Sequence, residues 1–312
     1  MSRTEVRDIS ALRALAKRLC NWGRWGDDDE RGTVNFITDQ KVAAAAQSVR
    51  RGQIIELGLP FDRNGPQANV PKRFNPIHFM ISLPDQELLE GGIGIADDVL
   101  ILPLQASTQW DSLAHIAFDG ILYGGRSPRN VSISGAARNS IRGVSSRIAT
   151  RGVLLDVARD AGVDCLPPGT AITADDLERV ADRQACPVEE GDVLLIRTGF
   201  LAKSRTAGWR GLREAAPGLA VDTLEWIHER KIAAVASDTT AVEVRPSQVR
   251  GVEVPFHAVA IPYMGLLIGE IFDLEQLAEQ CASDDRYEFF FVAPPLPVTG
   301  AVGSPINPYA IR

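Results

Sequence analysis

The sequence has 312 residues, of which 45% are hydrophobic and 23% are charged, values close to the averages for soluble globular proteins. Its formal net charge of −7 argues against sequence-independent binding to nucleic acid or to an anionic membrane, because both require a basic surface. No uncharged apolar run approaches the roughly 18 residues that a membrane span needs.

The predicted elements alternate between helices and short apolar strands. An amphipathic helix is predicted within residues 1–20, because Ile9, Leu12 and Leu19 follow helical spacing. Further helices are predicted at residues 39–52, 173–185 with Thr173 as N-cap, 222–231 and 273–282. Strands are predicted at 53–60, 99–105, 153–158, 192–200, 232–238 and 288–298, several of them buried on both faces. This mixture predicts an α/β or α+β domain.

One segment differs in charge from the rest of the chain. Residues 120–155 contain no acidic residue and carry Arg126, Arg129, Arg138, Arg142, Arg147 and Arg151. Such a segment could attract an anionic substrate or meet an acidic surface of a neighbouring subunit. A solvated polar loop and helix is the simpler interpretation, because guanidinium groups usually lie in solvent.

The stretch LQASTQWDSLAHIAF (104–118) is the first candidate site. It places Gln105, Gln109, Asp111 and His115 at spacings of four, two and four. A strand would direct both glutamines and the aspartate to one side, and a helix capped by Asp111 would bring His115 beside it. A neutral amide is a weak zinc donor, however. The alternative is a capping aspartate with a buried, hydrogen-bonded glutamine pair.

Two other histidines receive structural interpretations, and one joins a second cluster. His228 lies in a predicted surface helix and is interpreted as structural, while His78 precedes a strand and either lines a pocket or packs in the core. His257 and Glu270 bracket an apolar run, where a carboxylate needs a cation or a hydrogen-bond donor as partner. Alternatively, Glu270 begins the next helix with its carboxylate near the helix N-terminus.

Several familiar motifs are absent from the sequence. It contains no GxGxxG after a strand, no GxxxxGK[ST], no HExxH and no GxSxG, so nucleotide-dependent chemistry and elbow-type serine hydrolysis lack support. The four cysteines lie far apart without a CxxC pair, which indicates neither a disulfide framework nor a zinc ribbon. A reducing, cytoplasmic location is expected.

In their order along the chain, several segments resemble the putative cyclase family, which includes bacterial kynurenine formamidase and isatin hydrolase. They are RWGDDDERGTVNFIT (24–38), TQWDSLAHI (108–116), SDTTAVEV (237–244), HAVAIPYMGLLIGEIFDLEQLA (257–278) and the closing GSPINPYAI (303–311). The resemblance implies an α/β fold with the mixed sheet of cyclase-like proteins, of the swivelling β/β/α type with peripheral helices. It implies a single domain over residues 1–312, with residues 1–52 as an N-terminal helical extension packed on it.

The family signature is His-x-x-x-His-x-Asp-x-x-x-His, followed later by a histidine and a glutamate. In this chain two glutamines stand where the family has its first two metal-binding histidines, and the remaining positions are kept. The metal set implied by position is Asp111, His257, Glu270, Gln105 and Gln109, with His115 at the catalytic acid/base position beside Asp111. Amide oxygens favour harder ions such as Mn²⁺ or Mg²⁺ over zinc. The ion expected here is Mn²⁺ or Zn²⁺, held mainly by Asp111, His257 and Glu270.

The function that the resemblance implies is a metal-dependent hydrolysis of an amide, lactam or formamide C–N bond in a small aromatic or cyclic substrate. Metal-activated water would be the nucleophile and His115 the acid and base. Trp25, Trp110 and His78 are candidates for the substrate pocket, the two tryptophans alternatively being core aromatics. Two alternatives stay open: a metal-free acid/base isomerase, dehydratase or cyclase, and a non-catalytic small-molecule-binding homologue. The implied assembly is a homodimer or homotetramer.

Overall fold

The computed structural model describes residues 6–67, 72–86, 88–212 and 214–312. Its α-helices are α1 Ile9–Arg18, α2 Asp39–Gln47, α3 Val157–Asp160, α4 Ala174–Arg183, α5 Phe200–Thr206, α6 Thr223–Glu229, α7 Pro255–Val259 and α8 Glu275–Asp284. A π-helical turn, Ala260–Met264, continues α7, and single 3-10 turns occupy Gly32–Phe36, Tyr123–Gly125, Pro128–Asn130 and Ile141–Val144. Within these ranges no helix combines the length and apolar character needed to cross a membrane.

The strands are short. In chain order they are β1 Ile54–Glu56, β2 Ile77–Met80, β3 Leu88–Leu89, β4 Ile93–Gly94, β5 Asp98–Ile101, β6 Gln109–Asp111, β7 Val131–Ser132, β8 Gly135–Ala136, β9 Ala149–Asp156, β10 Ala171–Ile172, β11 Val193–Arg197, β12 Gly218–Leu219, β13 Ala234–Ser237, β14 Leu267–Glu270, β15 Glu288–Val292, β16 Gly303–Pro305 and β17 Tyr309–Ile311.

One mixed sheet organises the described residues. Its nine strands follow the order β1-β17-β15-β9-β11-β13-β14-β6-β16. The central strands β9, β11, β13 and β14 are parallel to one another, and the outer pairs are antiparallel. Every residue of β11 and β13 is buried, as continuous apolar runs in a sheet covered on both faces require. The α/β fold class with a mixed sheet is therefore confirmed.

Several predicted elements are present but end earlier than predicted. The helix predicted over residues 39–52 ends at Gln47, and the capping box of α4, in which Thr173 and Asp176 bond reciprocally, confirms the predicted N-cap. The strand predicted over 99–105 is wrong in extent. Residues 98–101 form the exposed strand β5, and the chain then turns before β6.

The first helix, α1, lies against α7 and the π-helical turn that follows it, whereas α2 packs on β9 and β15. Leu12, Leu15 and Ala16 of α1 are buried, and the Asp8 side chain caps the helix by accepting from the Ala11 amide at 2.9 Å. Past the helix, the Trp22 indole N–H donates to the Pro262 carbonyl at 2.8 Å. The described part of residues 1–52 thus contacts the rest of the domain directly.

The arginine-rich segment is more ordered than a solvated loop. Arg126 donates to the Asp29 carbonyl and to Asn139, and Arg151 forms ion pairs with Asp192 and Glu288. The acidic partners of Arg151 therefore come from outside its own segment, and Arg126 is held by a backbone carbonyl and an asparagine side chain. Much of the segment's charge serves to attach it to the domain.

We predict that Leu12→Ala lowers the free energy of unfolding by about 2–4 kcal/mol, because Leu12 is fully buried and truncation leaves a cavity. Ile9→Ala on the exposed side of the same helix is the control, with an expected loss below about 1 kcal/mol. Urea unfolding measures both values. Equal losses would show that α1 is not an integral part of the folded domain.

Candidate metal centre

The centre is built on neighbouring antiparallel strands, β6 and β14. Their register sets Gln109 opposite Glu270 and Asp111 opposite Ile268. Because side chains alternate along a strand, Gln109, Asp111 and Glu270 share one face of the sheet. All three side chains are buried, and the Gln109 Nε2 donates to the Glu270 Oε2 at 3.0 Å. Two carboxylates thus lie side by side in the interior.

His257 reaches the same face from α7. Pro255 occupies the first turn of this helix, where its missing N–H and fixed φ are tolerated. The His257 Nε2 lies 3.5 Å from the Glu270 Oε1 and 3.9 Å from the Asp111 Oδ2. The two candidate clusters read from the sequence, which lie some 150 residues apart, are therefore one site.

Glu243 fixes the orientation of this imidazole. The His257 Nδ1 forms a short hydrogen bond with the Glu243 Oε1, and the carboxylate also accepts the backbone N–H groups of Phe256 at 2.8 Å and His257 at 3.2 Å. A carboxylate on one ring nitrogen leaves the other directed at the cluster, as metal-binding histidines require. Sequence reasoning missed Glu243, although an acid within the apolar run AVEV was a usable signal.

The donor set fits a divalent cation. Asp111, His257 and Glu270 each offer one ligand atom, and these atoms all lie within 4.8 Å of one another. The Asp111 Oδ1 and the Gln109 Oε1 are buried and have no hydrogen-bond partner among the described residues. Buried oxygen atoms without a donor are costly, and a cation placed among them would satisfy both.

The ionisation of the cluster follows from its burial. Burial raises the pKa of Asp111, the nearby Glu270 adds to that effect, and His115, His257 and Arg73 act against it. Burial by itself would lower the pKa of His257, but the hydrogen bonds to Glu243 and Glu270 outweigh it and raise that pKa to about 10. The carboxylates of the centre therefore stabilise the positive charge of a protonated His257.

His115 takes a different path from the one predicted. No helix follows β6: Asp111 ends the strand, so the expected helix cap is wrong, and the chain turns through residues 112–115. The turn still returns His115, whose Nε2 lies 3.8 Å from the Asp111 Oδ1. Its side chain is 19% exposed whereas that of Asp111 is 1% exposed, so His115 lies between the cluster and solvent.

The two glutamines differ in position. Gln109 belongs to β6 and contacts Glu270 directly. Gln105 lies in the preceding turn, where its buried Nε2 would be 2.5 Å from a Cβ placed on Gly303, the residue of β16 opposite Asp111. The bare Gly303 backbone thus makes room for the Gln105 amide beside the site.

The aromatic candidates are not part of the cluster. Trp110 points to the opposite face of β6, is fully buried among Phe272 and Phe291, and donates its indole N–H to the Ala293 carbonyl, so its prediction as a pocket wall is wrong. Trp25 is half-buried and packs edge-on against Phe36.

Two histidines lie elsewhere. His78 is not packed in the core: it is exposed on β2, where its Nε2 lies 2.7 Å from the Asp98 Oδ2. His228 is half-buried in α6, and burial lowers its pKa. The structural role of His228 stays a prediction.

A cavity of about 550 Å³ lies along residues 63–78, and none of the three candidate ligands lines it. Its lining residues are Arg63, Gln67, Arg73, Phe74, Asn75, Pro76, Ile77 and His78. Gln67 connects it to the site, because its Nε2 donates to the carbonyls of Ala106 at 2.9 Å and Gln105 at 3.3 Å. His78 lines this cavity, and its role in a substrate pocket stays a prediction.

Fold and centre together define a cyclase-like α/β protein with a buried carboxylate–histidine site. The family model described as putative cyclase matches residues 55–244, and the chain therefore belongs to the putative cyclase family. No curated protein matches it.

The chain is similar to several solved structures. A crystal structure described as a novel cyclase has 38% identity and a TM-score of 0.86, covering 94% of this chain and 100% of the other. Isatin hydrolase A from Ralstonia solanacearum has 19% identity and a TM-score of 0.63, with 88% and 97% covered. Isatin hydrolase A from Labrenzia aggregata has 18% identity and a TM-score of 0.61, with 88% and 99% covered. The two isatin hydrolases share the fold.

We predict that Glu243→Gln weakens binding of Mn²⁺ by about 10- to 100-fold. The amide is neutral, so it no longer offers a charged acceptor to the His257 ring N–H and to the two backbone N–H groups. The exposed Glu253→Gln is the control and should bind Mn²⁺ like the wild type. Isothermal titration calorimetry gives both affinities. An unchanged affinity in Glu243→Gln would show that Glu243 does not position His257 for metal binding.

Proposed function

We propose that the protein is a metal-dependent hydrolase that cleaves the amide, lactam or formamide C–N bond of a small aromatic or cyclic substrate. The observation that carries this proposal is the convergence of Asp111, His257 and Glu270, whose ligand atoms lie within 4.8 Å of one another in a buried site. The shared fold with isatin hydrolases supports the reaction class.

Asp111, His257 and Glu270 would hold the ion, and the unpaired Gln109 Oε1 is a fourth candidate ligand. When bound, a divalent ion lowers the pKa of water and polarises the scissile carbonyl. A set of two carboxylates, an amide and one imidazole is richer in oxygen than the family's histidine pattern. We therefore propose Mn²⁺ ahead of Zn²⁺.

The other residues of the centre would hold these ligands in place. Glu243 keeps the His257 Nδ1 protonated and its Nε2 free, and it anchors the first turn of α7 through two backbone N–H groups. Gln109 occupies the Glu270 Oε2, which leaves the Oε1 directed at His257. Ligands fixed in this way lose little entropy when the site is loaded.

His115 would move the proton. Its Nε2 is close to the Asp111 Oδ1 and its ring is partly exposed, so it can accept a proton at the centre and deliver it to the leaving nitrogen. The neighbouring Asp111 carboxylate stabilises the protonated imidazole during this transfer. Burial of the rest of the centre keeps bulk water away from the reacting bond.

The adjoining cavity would select the substrate. Phe74 and Ile77 give it apolar surface suited to a ring, and Arg63 and Arg73 give it positive charge. Such a lining favours a ring compound that carries a carboxylate or generates one on hydrolysis, as ring opening of a lactam does.

The central experiment is metal content combined with activity. Protein purified without chelators should hold about one divalent ion per chain. Adding Mn²⁺ to chelator-treated protein should restore its activity in the hydrolysis of isatin or of N-formyl aromatic amines. Elemental analysis and absorbance assays measure the two. Protein that holds no ion and gains neither thermal stability nor hydrolysis from Mn²⁺, Zn²⁺ or Co²⁺ would exclude this function and favour the metal-free alternatives.

We predict that His115→Ala lowers kcat by about 10²- to 10⁴-fold, because the leaving nitrogen loses its proton donor. Metal content should be unchanged, as His115 is outside the ligand set. His228→Ala, which alters a half-buried histidine of α6, is the matched control and should retain full turnover. Normal turnover in His115→Ala would remove this residue from the mechanism.

A further inference from the structure

A row of buried polar atoms begins in the turn before β6 and continues through the strand. Its members are the Gln105 Nε2, the Ser107 Oγ, the Gln109 Oε1 and the Asp111 Oδ1, one on every second residue. None of these atoms has a hydrogen-bond partner among the described residues. Burying a polar atom without a partner is costly, so a row of them indicates that this stretch binds a ligand.

The row divides by chemistry. The Gln109 Oε1 and the Asp111 Oδ1 are acceptors, which suit the divalent cation of the proposed function. The Gln105 Nε2 is a donor with two N–H groups, and the Ser107 hydroxyl can donate its O–H. An N–H group does not coordinate a cation. The first half of the row therefore requires an acceptor, such as an oxygen atom of a bound compound.

The Gln105 amide lies beside the centre, although Gln105 itself belongs to the turn. The register of β16 and β6 sets Gly303 opposite Asp111, and directly paired residues face the same side of a sheet. A Cβ on Gly303 would lie 2.5 Å from the Gln105 Nε2. The Nε2 therefore occupies the space next to Asp111 that a side chain at position 303 would fill.

Gln67 attaches the same turn to the cavity along residues 63–78. Its side chain is buried, and its Nε2 donates to the carbonyls of Ala106 at 2.9 Å and Gln105 at 3.3 Å. Its backbone N–H donates to the Asn75 Oδ1 at 2.7 Å, and both Gln67 and Asn75 line the cavity. The turn that carries the two donors and the wall of the cavity are therefore one hydrogen-bonded unit.

We propose that Gln105 and Ser107 bind an oxygen atom of the substrate, while Gln109 and Asp111 serve the cation. The oxygen belongs to a carbonyl or carboxylate group of the ring compound that occupies the cavity. This inference rests on the proposed function, and it makes Gln105 a specificity residue rather than the metal ligand that its sequence position predicts. Uncharged donors in a buried site orient such an oxygen effectively, because little water competes for it.

The test separates the two halves of the row by their ligands. The probes are 2-aminobenzoate and 2-aminobenzamide, two fluorescent compounds that present a carboxylate and a neutral carbonyl on the same ring. Gln105→Leu and Ser107→Ala should each raise the dissociation constant of at least one probe by about 10-fold, and the weakened probe identifies the recognised group. Both variants should bind Mn²⁺ like the wild type.

Two further variants serve as comparisons. Gln109→Leu should weaken Mn²⁺ binding by about 10-fold or more, because it removes a candidate ligand and the donor to Glu270. Gln53→Leu alters a half-buried glutamine that bonds with Gln280 beside β1, and it should change neither the probe affinities nor the Mn²⁺ affinity.

Thermal stability distinguishes recognition of a ligand from a structural role. Ser107→Ala removes a buried hydroxyl that has no partner in the described chain, so its Tm should equal or exceed that of the wild type. A hydroxyl that holds the turn together would instead lower the Tm when it is removed.

Fluorescence titration measures the probes, calorimetry measures Mn²⁺, and circular dichroism checks folding and gives the Tm. If Gln105→Leu does not fold, Gln105→Glu keeps the size, replaces the donor with an acceptor and should weaken 2-aminobenzoate. A folded Gln105 or Ser107 variant that binds both probes like the wild type, or a wild type that binds neither probe, would overturn the proposal. A weakened Mn²⁺ affinity in Gln105→Leu would do the same.

The probe titrations use protein with and without Mn²⁺. A wild type that binds the probes but no divalent ion would contradict the proposed function and leave the assignment of the two donors in place.

Discussion

Asp111 and Glu270 place two carboxylates on one buried sheet face, and Glu243 adds a third on the far side of the same imidazole. Like charges removed from water repel one another and lose their hydration, so this arrangement persists only with positive charge and well-placed donors around it. His257 supplies charge, and Gln109 supplies a donor.

Small residues make the close approach possible. A Cβ on Gly269 would lie 2.6 Å from the Trp110 ring, and a Cβ on Gly303 would lie 2.5 Å from the Gln105 amide. The first glycine lets the indole fill the core side of β6–β14, and the second leaves the polar side open beside Asp111. The face with the aromatic residue and the face with the carboxylates are therefore separated by the strand alternation alone.

The sequence predicted the members of the centre better than their local structure. Ligand types and spacing singled out Asp111, His115, His257 and Glu270, because polar groups in apolar segments need partners wherever they lie. The helix expected after Asp111 is absent, since a polar residue before a possible helix resembles a cap whether or not the chain turns. Glu243 was missed because its role depends on a contact 14 residues away in sequence, which no local pattern encodes.

The exposed strand β5 shows a second limit of prediction from local sequence patterns. Its apolar residues predict a strand correctly, but they do not indicate which surface that strand packs against. The structure places these residues in a two-stranded sheet with β2, apart from the main sheet, where most of their side chains are exposed. Periodicity reports which residues avoid water and does not report which surface excludes it.

The strand order also constrains when the centre can form. β6 is held between β14 and β16, so Asp111 gains its second strand neighbour only from residues 303–305. Strand pairs whose members lie about 150 to 200 residues apart in sequence form late, because the entropy of the intervening loop is lost before the contacts compensate for it. During synthesis, the first half of the centre would therefore lack its strand neighbours until residues 267–305 had been translated, and loading of the site would follow their pairing with β6.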